Sequence, residues 1–256
     1  MGEALAVGLL EHGWEADELA VAEVDADRHH ALEARLPGVR VVRNPAWAAG
    51  DAEVLVLAVK PKDAVAALAS CADVLPDGAL VLSIAAGVTI ASLQGAVPGR
   101  PVVRAMPNTG ALVGRSATAI AAGPHATELD LETCERVLGS VGVVVRVPED
   151  HLDAVTGLSG SGPAYVFLLA EAMIEAGVLV GLPRDTSEQL VRQTLMGSAT
   201  LLTDTDASPE ALRAAVTSPG GTTAAGLAVL ETHGVRGAFL EAIAAATRRS
   251  QELGQG

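Results

Sequence analysis

The feature that most narrows the folds open to this chain is a rhythm that runs to about Pro148 and then stops. Short β-branched runs recur: ELAVAEV (Glu18 to Val24), VRVV (Val39 to Val42), EVLVLAV (Glu53 to Val59), ALVLSIA (Ala79 to Ala85) and PVVRAMP (Pro101 to Pro107). Helical patterns such as DAVAALASCADVL (Asp63 to Leu75) lie between most of them. Near-continuous apolar strands alternating with helices predict a parallel sheet covered on both faces. ATAIAAG and VGVVVRVP read as further strands completing it. Beyond Pro148 the pattern is helical, with recognisable ends: SPEALRAAV opens on Ser208 as cap and Pro209 at the first helical position. The expected organisation is an α/β domain over residues 1–148 and an all-α domain over 149–256.

Composition removes several classes of partner. Seventeen basic residues against thirty-one acidic ones give a net charge of −14, and no basic patch is visible for duplex DNA or an anionic membrane. The most apolar run, Ala164 to Leu182, is long enough to span a bilayer, but Glu171 and Glu175 in its middle predict a buried packing helix instead. Cys71 and Cys134 lie far apart with no CxxC pairing, which suits reduced thiols in the cytoplasm. The N-terminus is acidic up to Arg28, the opposite of a secretory signal. The histidines at 12, 29, 30, 125, 151 and 233 show no metal spacing, so no metal is expected.

In a parallel α/β sheet, ligands lie at the carboxyl ends of the strands. Those ends carry Glu23 and Asp25, then Ala58-Val59-Lys60-Pro61, then Ala85-Ala86-Gly87, then Arg104 to Asn108. The small and rigid residues leave backbone against which a flat cofactor can lie. A Rossmann domain should open with a strand and G-x-G-x-x-G. This chain opens MGEALAVGLLEHG, the pattern of the helix that follows such a loop, with Gly2 in the place of the third glycine. Glu23 follows at about the 20 residues expected of a carboxylate on a ribose hydroxyl. The expected fold is thus Rossmann-like with its first strand missing.

In the helical half, VTSPGGTTAAG (Val216 to Gly226) sets four hydroxyls around a proline and two adjacent glycines, directly before an apolar helical run. A helix cap needs one hydroxyl and no glycine pair. Glycines let backbone N–H groups approach an anion, and the following helix offers its positive end. Upstream, LSGSGPAY (Leu158 to Tyr165) is a second Gly/Ser segment at a helix start. Together with LAVKP, AAGV and VVRAMPNT, these two motifs resemble pyrroline-5-carboxylate reductase over essentially the whole chain. MGEALAVGLL matches that family's GxGxMGxAL only from its methionine onward.

The resemblance implies hydride transfer from a reduced nicotinamide cofactor to a cyclic imine, giving L-proline. It places Ser218 and Thr223 in catalysis, with Thr223 against the ring nitrogen. It places Glu149, Gly220, Gly221, Thr222 and Thr223 at the substrate. Along the cofactor it places Gly2, Glu23, Asp25 and Asn44, then Ala58, Val59, Lys60 and Pro61, then Ala85, Ala86 and Asn108. The helical domain is expected to dimerise, alone or within larger rings. The family implies NADPH, whereas Glu23 and Asp25 in AEVDADRHH would repel a 2′-phosphate and favour NADH, unless Arg28 folds back to compensate.

Two other readings stay open at this point. Loss of the first strand and most of the pyrophosphate loop would suit an impaired remnant that only self-associates, or a chain whose Met1 is an internal methionine. A 3-hydroxyacid dehydrogenase plan needs a lysine in the interdomain helix, and the helix after Pro163 has none.

Overall fold

The computed structural model describes residues 1–254. All seven expected strands form. They are β1 (Ala20–Ala22), β2 (Arg40–Val42), β3 (Val54–Leu57), β4 (Leu80–Ser83), β5 (Val102–Met106), β6 (Ser116–Ala122) and β7 (Gly142–Arg146). β3, β4 and β5 are parallel neighbours, as alternating strands and helices require. β6 departs from this, running antiparallel to β5 with Val103 opposite Ala122. Only the stretch 107–115 joins these two strands. That is too short for a parallel crossover, which needs a dozen residues or more. β7 then returns parallel to β6.

Each strand feeds both faces of the sheet, because successive side chains point to opposite sides. Leu57, Val81 and Val102 pack on one face with Ala64, Leu68 and Cys71 of α4 (Pro61–Cys71) and with Ile90 and Leu93 of α5 (Ile90–Ala96). Leu80, Leu82, Val103 and Ile120 meet the other face, under Leu5 and Leu9 of α1 (Gly2–Glu11) and Cys134, Val137 and Leu138 of α6 (Glu128–Gly139). Burial pushes the Cys134 thiol up to about 12, helped by Asp130 and Glu135, so it packs as a small apolar group.

β1 and β2 pair with each other through three residues apiece, and among the described residues no ladder joins them to β3–β7. The joint is made by helices instead, by α1 and by the short helix Pro45–Ala49, which touches both ribbon strands and buries Ala49 in the main core. Ala6, Val7 and Leu10 pack with Leu32, Leu36, Val21 and Val41, while Leu5 and Leu9 belong to the main sheet's core. A two-stranded ribbon joined to the main sheet by helices and by no ladder has few interactions to lose on opening. The amides of Val21 and Val41 are expected to exchange about a hundredfold faster than those of Val81 and Val103, as read by hydrogen exchange. Equal protection would show that the ribbon and the main sheet open as one unit.

The chain divides into two compact units. One holds Met1–Ser161 together with the chain from Ala244 on, and the other holds Gly162–Ile243. Strand signals end at Pro148, yet the sheet unit continues through α7 (Leu152–Val155) and a π-helical turn at Thr156–Gly160. It also takes back the end of α12 (Val235–Gly254), where Ser250 Oγ donates to Asp153 Oδ1 at 2.6 Å.

The helical unit contains α8 (Gly162–Leu179), α9 (Arg184–Asp204), α10 (Pro209–Ala215), α11 (Thr222–Thr232) and the first part of α12. α8 packs on α9, where Gly177 admits Ser187, whose hydroxyl donates to Ile174 O at 2.9 Å. The expectation of a buried helix fails within a single chain: no residue of α8 is buried, and Leu179 is 87% exposed. The stretch Glu149–Leu179 is long and apolar enough to cross a membrane by length and composition. Glu171 and Glu175 lie within it, so apolar surface of this kind points to a protein partner.

Candidate functional site

The carboxyl ends of β3, β4 and β5 bring one set of residues together on the sheet unit. Ala58 and Val59 follow β3 and are exposed, and Lys60 caps α4 with Pro61 at its first position. Ala85 is buried behind Ala86, which is exposed. Gly87 sits at φ +75, a conformation that favours glycine, and turns the chain away from β4. Gly2 stands in the first turn of α1, where an added Cβ would lie 3.0 Å from Ala58 Cβ. Close approach of α1 to the end of β3 therefore needs this glycine. The N-terminus of α1 has no side-chain cap. Its free N–H groups and helix dipole suit a phosphate. These surfaces fit a flat dinucleotide, although only Gly2 of the three fingerprint glycines stands in the chain.

Several of the expected residues hold the site in shape. Asn108 caps the turn at Thr109–Val113 by accepting from Gly110 N at 3.0 Å, and its Nδ2 donates to Ser159 O at 3.0 Å. It therefore brackets the end of β5 to the π-helical turn. Asn44 caps α3 (Pro45–Ala49), and Asp25 caps α2 (Ala26–Arg35) by accepting from Arg28 N at 3.0 Å. Glu149 accepts from Ile90 N at 2.7 Å and from Arg104 Nη1 at 3.2 Å. Its visible partners are thus α5 and β5.

The sequence places Arg104 at a strand end and assigns it no role. Its side chain is only 6% exposed in the middle of a buried strand. A buried guanidinium must be paired, and Glu149 is its partner. The signal was an arginine inside an otherwise apolar run. Beside it opens a cavity of about 410 Å³, lined by Gly87, Thr89, Arg104, Asp153, Gln251 and Gly254. A larger depression of about 620 Å³ over Leu129, Glu132, Glu135 and Arg136 of α6 lies away from the strand ends.

The helical unit carries the second set, and its geometry explains both glycines of SPGGTT. Gly220 has φ +70. At Gly221 an added Cβ would strike the Ser218 hydroxyl, and this residue caps α11 with no side-chain bond. Gly221 N donates to Ser218 O at 3.0 Å, closing a turn. The first N–H groups of α11, on Thr222, Thr223 and Ala224, are left pointing out of the helix end. Thr223 is half-buried, and Ser218 and Thr222 are exposed. Thr217 is withdrawn from this cradle, its hydroxyl donating to Arg213 O. The arrangement can receive a small carboxylate and place hydroxyls around it.

Residues 149–253 match the sequence profile described as pyrroline-5-carboxylate reductase dimerisation. Residues 1–87 match the one described as NADP oxidoreductase, coenzyme F420-dependent. The chain is 46% identical over 259 residues to the pyrroline-5-carboxylate reductase of Synechocystis, covering 100% of this chain and 95% of that protein. It is 41% identical to the one from Corynebacterium melassecola, covering 100% and 96%. Among solved structures, the pyrroline-5-carboxylate reductase of Coxiella burnetii superposes with TM-score 0.94 at 35% identity, over 98% of this chain and 94% of that one. The Plasmodium falciparum pyrroline carboxylate reductase with NADP bound gives 0.86 at 30% identity, over 99% and 94%.

Proposed function

We infer the reaction from one premise: this chain belongs to the pyrroline-5-carboxylate reductase family. It reduces 1-pyrroline-5-carboxylate to L-proline, the C=N carbon gaining a hydride and the ring nitrogen a proton. A nicotinamide cofactor, when bound in reduced form, supplies the hydride. The observation that carries the reading on this chain's own residues is the uncapped start of α11 behind the Gly220-Gly221 pair. The remnant reading loses ground because relatives match along the full length of this chain, its first residues included.

In this reading the N–H groups of Thr222, Thr223 and Ala224 hold the substrate carboxylate at the positive end of α11, and Ser218 adds a hydroxyl donor. The Thr223 hydroxyl orients the ring nitrogen. A threonine is a poor acid, so it positions a protonated nitrogen or relays a proton from water. Rate enhancement then rests on proximity and orientation. Glu149 acts through Arg104 and Ile90, holding β5 and α5 together as a positioning residue. Gly2, Ala58, Val59, Lys60, Pro61, Ala85 and Ala86 would line the cofactor, and Asn44 and Asn108 would brace the loops around it. Glu23 and Asp25 would face its adenosine ribose.

Self-association follows from the dimerisation profile and the bare apolar helices of the helical unit. A dimer is the proposed unit, and no partner beyond the small-molecule substrate is invoked. Two buried, unpaired thiols suit a reducing compartment, and the cytoplasm is the proposed location.

The test is consumption of NADPH and NADH with 1-pyrroline-5-carboxylate. Thr223→Val is expected to lower kcat by about 10- to 100-fold, the value of one hydrogen bond to a charged group. Thr223→Ser should keep most of the rate. A Thr223→Val enzyme with unchanged kcat and KM would remove the hydroxyl from the mechanism.

A further inference from the structure

The end of β1 carries an arrangement with its own consequence for cofactor choice, resting on the reductase reading above. Glu23 directly follows β1, and both of its carboxylate oxygens are engaged. Oε1 accepts from Asp25 N at 3.1 Å, and Oε2 accepts from Arg28 Nε at 3.0 Å. The Asp25 carboxylate is turned into the helix as the cap of α2. Glu23 is therefore ion-paired at the strand end, and the Asp25 carboxylate is engaged by a backbone N–H. The Arg28 side chain is 61% exposed, and Glu3 lies 3.9 Å from its Nη2. The Glu3 carboxylate has a nearer partner in Arg35, at 2.9 Å. Arg43 lies on the other side, its Nη2 donating to Val24 O at 3.3 Å.

We propose that Arg28 decides which nicotinamide cofactor this chain accepts, by exchanging its Glu23 partner for the 2′-phosphate of the adenosine ribose. While clamped, Arg28 neutralises Glu23 and leaves that carboxylate able to accept from a free ribose hydroxyl, since each oxygen has a further lone pair. Released, its planar fork matches a phosphate with two parallel N–H donors, the geometry that makes arginine a phosphate reader. Glu23 is then the internal competitor of the phosphate. The chain accepts both cofactors, and the balance between them is set by one exposed ion pair.

The experiment is calorimetric binding of 2′,5′-ADP and of ADP to the full chain and to Arg28→Leu and Glu23→Gln, with melting curves to confirm that each folds. Removing the fork is expected to weaken 2′,5′-ADP about tenfold or more while leaving ADP within about twofold. Glu23→Gln frees Arg28 and should tighten 2′,5′-ADP about fivefold while weakening ADP. Equal loss of both fragments, or no change in either, overturns the proposal and leaves the reductase reading standing. Failure of the unmodified chain to bind either fragment removes the ribose from this strand end, and the proposal with it. The assay with 1-pyrroline-5-carboxylate separates that outcome from a failure of the reaction itself.

Discussion

A Gly142→Ala chain is expected to lose its folded sheet unit, with a destabilisation above about 4 kcal/mol. Gly142 opens β7 at φ +151, a conformation in which an L side chain is strained. It is also the residue paired with Ser116, and an added Cβ there would run into the Ser116 backbone nitrogen, carbonyl carbon and oxygen. Backbone cannot rotate aside as a flexible side chain can. The neighbouring bond, Ser116 N to Val141 O at 2.7 Å, would have to break for the strands to part. β7 would lose the register that places Val144 against the core. Urea unfolding followed by circular dichroism measures the effect, and a loss below about 1 kcal/mol would mean that β7 can start elsewhere.

The second large effect belongs to α8. Leu168→Glu is expected to convert the associated protein to single chains and to remove most activity. Leu168 is 65% exposed in one chain, flanked by Phe167 and Leu169, both exposed. Burying an unpaired carboxylate in such an interface costs several kcal/mol, or more than about a hundredfold in association. Sedimentation or light scattering reads the mass, and melting of the sheet unit should be unchanged. An associated, active Leu168→Glu protein would place the interface on another helix.

Most of the fold was legible because the seven β-branched runs had no other stable use than a covered sheet. The direction of β6 was not legible from its own residues, which suit either orientation. It follows from the shortness of the stretch between Met106 and Ser116. At the site, SPGGTT announced a close backbone approach, and Gly220 and Gly221 provide it for two different reasons, one conformational and one steric. Glu149 and Asn108 were legible only as positions. Their partners Arg104, Ile90 and Ser159 lie 45 to 59 residues away in the sequence, and no local pattern encodes such pairings. Along α8, apolar composition reports what will be covered without saying by which chain.

The return of α12 to the sheet unit gives this protein an order of events during synthesis. Domains generally fold as units as they leave the ribosome, amino-terminal parts first. Here the sheet unit combines residues made before the helical unit with residues made after it. Asp153 waits for Ser250, and the cavity beside Gly87 has no outer wall until Gly254 has arrived. The whole helical unit must be translated in between. A chain stopped anywhere before α12 ends would carry every strand of the sheet and still present the Arg104 cavity open to water.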